Sequence, residues 1–201
     1  MGRSSRQQAD ANRARIVEIA SGLFRARGIE SVSIGDVMKA AGLTQGGFYR
    51  HFANKDALAA EACTFAFEQA IRFWRRVAEE AQRDGRDVPG ALAAQYLAPR
   101  IPERTCPMIA FATEVGRRNP DDPLRQAYTT GVRRLFETFE DLAGQPDDPA
   151  AQDRLRMLFA GMAGSSMLAQ AAGGDAAAGF KQAAVAAADT GVTGRHPPRR
   201  S

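Results

Sequence analysis

Residues 34–58 read IGDVMKAAGLTQGGFYRHFANKDAL, and this stretch decides the fold. Two short segments with apolar residues at helical spacing are joined through Ala41, Gly42 and Leu43, which gives helix-turn-helix proportions. Glycine suits the turn because it takes the left-handed backbone conformation without a Cβ penalty. Ser33 is predicted to cap the first segment, with Asp36 three residues on, and Thr44 to cap the second, which should run through Phe52. Gly46 and Gly47 stand side by side in that second segment, and each costs roughly 1 kcal/mol relative to alanine in a helix interior. Two explanations stand. The missing side chains let the backbone approach a nucleic-acid groove closely, or they let the second helix pack tightly on the first.

Working outward, a preceding helix carries the stripe Ile16, Ile19, Ala20, Leu23 and Phe24 and stops at Gly28. On the other side Asn54 caps a long helix to about residue 82, striped by Cys63, Phe67, Ala70, Ile71, Trp74, Val77, Ala78 and Ala81. A shorter helix follows to about Ala98, before Pro99 and Pro102 interrupt. Pro107, Pro123 and Pro149 each sit where a helix takes its first residue, which predicts helices over 106–118, 122–143 and 148–172, with a last alanine-rich one over 176–189. No segment alternates with period two, so the expected class is all-α. The helix pattern divides the chain into a flexible basic arm over 1–10, a three-helix helix-turn-helix domain over 11–53, a larger helical domain over 54–191, and a disordered tail over 192–201.

Charge and composition point the same way. Of 201 residues, the first 60 hold nine Lys/Arg against five Asp/Glu, while the remainder is balanced, so the basic excess lies where the helix-turn-helix lies. Cys63 and Cys106 are too few and too far apart for a disulfide framework, which makes a reducing compartment the expectation. The N-terminus lacks a signal-peptide core, and the uncharged run Met157–Gly174 holds two serines, a glutamine and four glycines, so a buried helix is expected, with a cytoplasmic protein and no membrane span. There is no P-loop, dinucleotide fingerprint, HExxH or CxxC motif, and only two histidines occur. Neither enzymatic activity, a cofactor nor a metal site is expected.

Thr44, Gln45, Tyr49, Arg50, His51 and Lys55 surround the paired glycines with hydroxyl, amide and cationic groups of the kind that hold phosphates. Helix starts near 44 and 54 would add backbone N–H donors. Gln45 is either a base-edge reader, its amide pairing with adenine, or simply solvated; Arg50 either reads guanine or neutralises a phosphate.

The stretch from Ile16 to Leu58 resembles the DNA-binding region of the TetR family of bacterial regulators. The likeness rests on Leu23-Phe24 with Gly28, the Ala41-Gly42-Leu43 turn, Gly46, the Phe48-Tyr49 and His51-Phe52 pairs, and Lys55 followed by Leu58. It implies phosphate contacts from Ser33, Thr44, Tyr49, His51 and Lys55, with Gln45, Gly46 and Gly47 facing the groove. Gly47 departs from the small hydroxyl residue or alanine often found there. The resemblance also implies that 11–53 is a DNA-binding domain and 54–191 a ligand-binding and dimerisation domain, with a dimer on an operator, released by a small-molecule effector, and a dimer seam formed by the last two long helices. Leu155, Leu158, Phe159, Met162 and Ala169 form one stripe; Ala160, Ala163, Gly164 and Met167 form a small-residue face; and Phe180, Ala183, Ala184 and Ala187 would complete a four-helix seam, ordinary core being the alternative.

Phe73, Trp74, Tyr96, Met108, Phe111, Tyr128 and Phe136 either line an effector cavity or are core. Cys106 precedes Pro107 at a helix start, where the dipole would lower a thiol pKa. The segment TCPMIAFATEVGRR, residues 105–118, resembles a subgroup in which a cysteine at this point is common and some members sense electrophiles or oxidants through it. An inert buried thiol is the other reading. The competing function is an architectural DNA-binding protein indifferent to sequence.

Overall fold

The computed structural model describes residues 2–144 and 148–191, and among these the regular structure is helical throughout. The elements are α1 (Gly2–Arg27), α2 (Ile34–Ala40), a 3-10 turn (Gln45–Arg50), α3 (Lys55–Arg83), α4 (Val88–Leu97), a second 3-10 turn (Pro102–Arg104), α5 (Pro107–Ala110), α6 (Ala112–Val115), α7 (Pro123–Ala143), α8 (Pro149–Ala172) and α9 (Gly174–Gly191). The expected all-α class is what the chain adopts. The tail over 192–201 lies outside the described residues.

Helix ends follow their local chemistry. Gly28 takes φ +80° and its N–H closes on Phe24 O, ending α1. Ser33 and Asp36 form the expected capping box on α2, and Gly42, at φ +69°, turns the chain out of it. Asn54 Oδ1 accepts the N–H of Ala57 at 2.8 Å to start α3. Asp148 caps α8 through the N–H groups of Ala150 and Ala151, with Pro149 at its first position.

Three expectations need correcting. The arm placed over residues 1–10 is helical from Gly2 onward, because nothing before Gly28 breaks the helix and polarity alone does not end one. The helix expected over 44–52 is a 3-10 turn of six residues, consistent with two adjacent glycines that weaken α propensity. The helix expected over 106–118 is two single turns, α5 and α6, separated at the fully buried Phe111 (φ −100°, ψ −7°).

The chain divides into two compact units. The first comprises the residues up to Ala70 with Arg100–Arg133, the second Ile71–Pro99 with the residues from Arg134 on, so α3 and α7 each contribute to both. The first unit therefore holds α5, α6 and the start of α7 together with the helix-turn-helix. In the first unit the core is Ile16, Ala20, Phe24, Ile29, Val37, Met38, Phe48, Leu58, Phe67, Phe111 and Leu124. Gly131 on α7 lies so close to the Phe67 ring of α3 that an added Cβ would sit 2.2 Å from it. In the second unit Trp74 packs edge-on to Tyr96, Phe139 and Phe159, with ring centroids 5.6–6.1 Å apart. Among the described residues no helix is long and apolar enough to cross a membrane.

Candidate nucleic-acid interface

The 3-10 turn is anchored from one side only. Phe48 is fully buried and packs on Tyr49 at 5.2 Å and Phe52 at 5.5 Å, while Tyr49 itself is 69% exposed. Arg13 from α1 lays its guanidinium over the Phe52 ring at 4.7 Å and pairs with Glu61, tying α1 to α3 behind the turn. The anchoring leaves Thr44, Gln45, Gly46, Tyr49 and Arg50 exposed, with Gly47, His51 and Lys55 half-buried. All nine predicted DNA-contact residues therefore reach the surface of one unit, none of them sealed in its core.

Their individual states differ. The Ser33 hydroxyl is engaged in its capping box: it accepts from the N–H of Asp36 at 3.1 Å and donates to Asp36 Oδ2 at 2.7 Å. The hydroxyl, together with the Ser33 N–H that donates to the same Oδ2 at 2.9 Å, holds the Asp36 carboxyl below its ordinary range. Thr44, by contrast, makes no side-chain cap bond, which leaves its hydroxyl available. The Gln45 carboxamide lies over Gly35, its Oε1 3.4 Å from where a Cβ at residue 35 would sit.

The paired glycines are the informative positions. A Cβ on Gly46 would meet nothing within 4 Å, and one on Gly47 would make only ordinary contacts with Met38 and Thr44 at 3.7 Å. Neither glycine is among those with positive φ. Tight packing on α2 thus does not require them, and neither does backbone conformation.

The eight predicted effector-site residues fall into two groups. Phe73, Trp74, Tyr96 and Phe136 belong to the second unit, where Trp74 and Tyr96 are buried in its aromatic cluster. Cys106, Met108, Phe111 and Tyr128 belong to the first. There Tyr128 donates its hydroxyl to Met108 O at 2.8 Å and meets Phe67 edge-on, and burial first, with Cys106 and Cys63 nearby, pushes its pKa up to about 12. Cys106 is half-buried at the start of α5. That helix has only four residues, so little dipole is available to acidify the thiol. A nearer cation is Arg25, which donates to the carbonyls of Ser21 and Thr105 and to Gln69. Burial lowers its pKa while Cys106 works in the opposite direction.

The predicted seam residues also separate. Leu155, Leu158, Phe159, Met162 and Ala184 are buried within their own chain. Met167, Phe180 and Ala183 are exposed, as are Met157 and Leu168, which the sequence reading does not single out. The side chain of Ala187 lies outside the described residues. Sequence reading also misses Glu114 and Arg118. Glu114 Oε1 accepts the N–H of Ile29 at 3.1 Å, and Arg118 pairs with Asp56 at 2.9 Å, contacts across 85 and 62 residues that no local pattern announces.

Residues 16–62, the capped helices and turn just described, match the family described as bacterial regulatory proteins, tetR family. Over these residues the chain is similar to that family. Among its relatives, the HTH-type transcriptional regulator AcrR of Shigella flexneri is 41% identical over 61 residues, a match spanning 30% of this chain and only 28% of AcrR. The HTH-type transcriptional regulator SAB2452 of Staphylococcus aureus is 27% identical over 155 residues, 77% of this chain and 79% of that protein. The reduced form of NemR from E. coli shares the fold at a TM-score of 0.73, with 16% identity, over 91% of this chain and 98% of NemR. The tetR-family likeness is thus strongest in the DNA-binding region and becomes a likeness of fold elsewhere.

Proposed function

We propose that the protein is a transcriptional regulator that grips a pseudo-palindromic operator as a homodimer through the turn at Gln45–Arg50. The observation that carries this reading is the pair Gly46-Gly47, which the protein's own packing does not require and which a closely approaching DNA backbone would. Thr44, Tyr49, His51 and Lys55 hold phosphates around it, Arg50 adds a cation, and Gln45 is the base-edge reader. Ser33 acts chiefly as the cap that orients α2. In a dimer two such turns would lie roughly 34–36 Å apart, one turn of DNA. The exposed apolar and small residues of α8 and α9, Met157, Ala160, Met167 and Phe180 among them, are the surface for the second copy.

The regulator is a repressor released by a small-molecule effector. Cys106, beside Arg25, is the point at which an electrophile or oxidant would act, since a neighbouring guanidinium favours the reactive thiolate. The decisive experiment is a titration of the protein onto the DNA flanking its own gene, across a salt series. Sequence-specific, salt-dependent binding that Tyr49→Ala/Lys55→Ala abolishes is the expected result. Equal affinity for scrambled DNA would favour the architectural reading instead.

A further inference from the structure

Lys55, offered above as a phosphate contact, opens α3, and the next residue is Asp56, whose side chain is 60% exposed. Consecutive Cα atoms are only about 3.8 Å apart. A bare carboxylate there would repel a phosphate held by Lys55 at any separation inside the roughly 8 Å Debye length of physiological salt. Arg118 covers that charge. Its Nη1 donates to Asp56 Oδ1 at 2.9 Å and to Asp122 Oδ2 at 3.0 Å, and its side chain is only 18% exposed. Asp122 in turn accepts the N–H groups of Leu124 and Arg125, which fixes it to the start of α7. Burial works against the Arg118 cation, but the bonds to Asp56 and Asp122 outweigh it and raise its pKa, so the guanidinium stays charged.

We propose that Arg118 is a positioning residue for operator binding: it offsets the charge of Asp56 beside Lys55, and withdrawing it exposes a carboxylate that repels the DNA backbone. The inference rests on the operator-binding reading above. It also supplies a route for control, because Arg118 follows directly on the segment whose Glu114 holds the N–H of Ile29 at the corner between α1 and α2. A rearrangement that carries this segment off the corner also takes Arg118 off Asp56.

The test is operator affinity of the full chain for Arg118→Gln, Asp56→Asn and the double variant, measured at about 50 mM and about 200 mM salt. Arg118→Gln should weaken binding on the order of threefold to tenfold at the lower salt and less at the higher, as expected for one unscreened charge in a high-dielectric setting. Asp56→Asn should bind as tightly as wild type or more tightly, and it should restore the double variant. A purely mechanical clamp predicts the opposite, since two neutral amides at these positions cannot re-form the ion pair, and a double variant as weak as Arg118→Gln would overturn the proposal. Should Arg118→Gln fail to fold by thermal unfolding, Arg118→Lys takes its place: it keeps the charge and should bind more tightly than Arg118→Ala, and equal loss in both overturns the proposal. If wild type itself does not prefer operator over scrambled DNA, the operator reading fails. If it does and Asp56→Asn brings no rescue, only the role of Arg118 fails.

Discussion

Two regions of the first unit use glycine for opposite reasons. At the crossing of α3 and α7, Gly131 is demanded from inside, because the Phe67 ring occupies the space its side chain would need. In the turn at Gln45–Arg50, Gly46 has open space around it and no internal demand at all. A glycine that the fold needs marks packing, and a glycine that the fold tolerates at a cost marks something beyond the chain.

The comparison can be broken most easily at Gly131. Gly131→Ala forces Phe67 or a helix to move, and overpacking of this kind costs about 1–3 kcal/mol. Thermal unfolding should therefore show a clear drop in midpoint, while the folded fraction keeps its operator affinity. The crossing should also be sensitive to alkali. Burial pushes Cys63 up to about 12 and Tyr128 up to about 12, each above its ordinary value. The stability these neutral groups contribute is present below their unfolded values and is lost as pH rises towards 12. Unfolding midpoints followed upward from pH 8 should fall, and Tyr128→Phe with Cys63→Ala should flatten that fall.

On the other side of the comparison, Ser33→Ala removes the cap on α2 and should cost about 1 kcal/mol. Asp36, whose carboxyl the same box holds low, adds an acid-sensitive contribution: it is present above the ordinary carboxylate value and lost as pH falls through the depressed one. Stability of Ser33→Ala followed downward in pH should show a smaller dependence of this kind, since the backbone N–H of residue 33 still donates to Asp36 Oδ2. The smallest change in stability belongs to Gly46→Ala, between nothing and a gain of about 1 kcal/mol, with operator affinity falling all the same. An unfolding midpoint that dropped as far as in Gly131→Ala would erase the contrast between the two regions.

The capped helices were legible in the sequence because their signals are local. Ser33 with Asp36, Gly42, Asn54 and Pro149 each act within four residues of where they stand. The surface set from Thr44 to Lys55 was legible for the same reason, being fixed by one buried anchor, Phe48. Contacts made by tertiary folding were not. Nothing near Arg118 announces Asp56, and nothing in an apolar stripe such as Leu155, Leu158, Phe159 and Met162 says how much of it its own chain covers. The break at Phe111 was likewise invisible, since both flanking turns have ordinary helical composition.

The sealed thiol of Cys63 has a further consequence. While the first unit is closed, a thiol with a pKa of about 12 has almost no nucleophilic form at neutral pH and no route to a reagent. Every alkylation event at Cys63 therefore records a moment when the α3–α7 crossing has opened, so its labelling rate in excess reagent is a clock for breathing of that crossing. The native chain carries its own stopwatch, readable by mass spectrometry with operator present and absent.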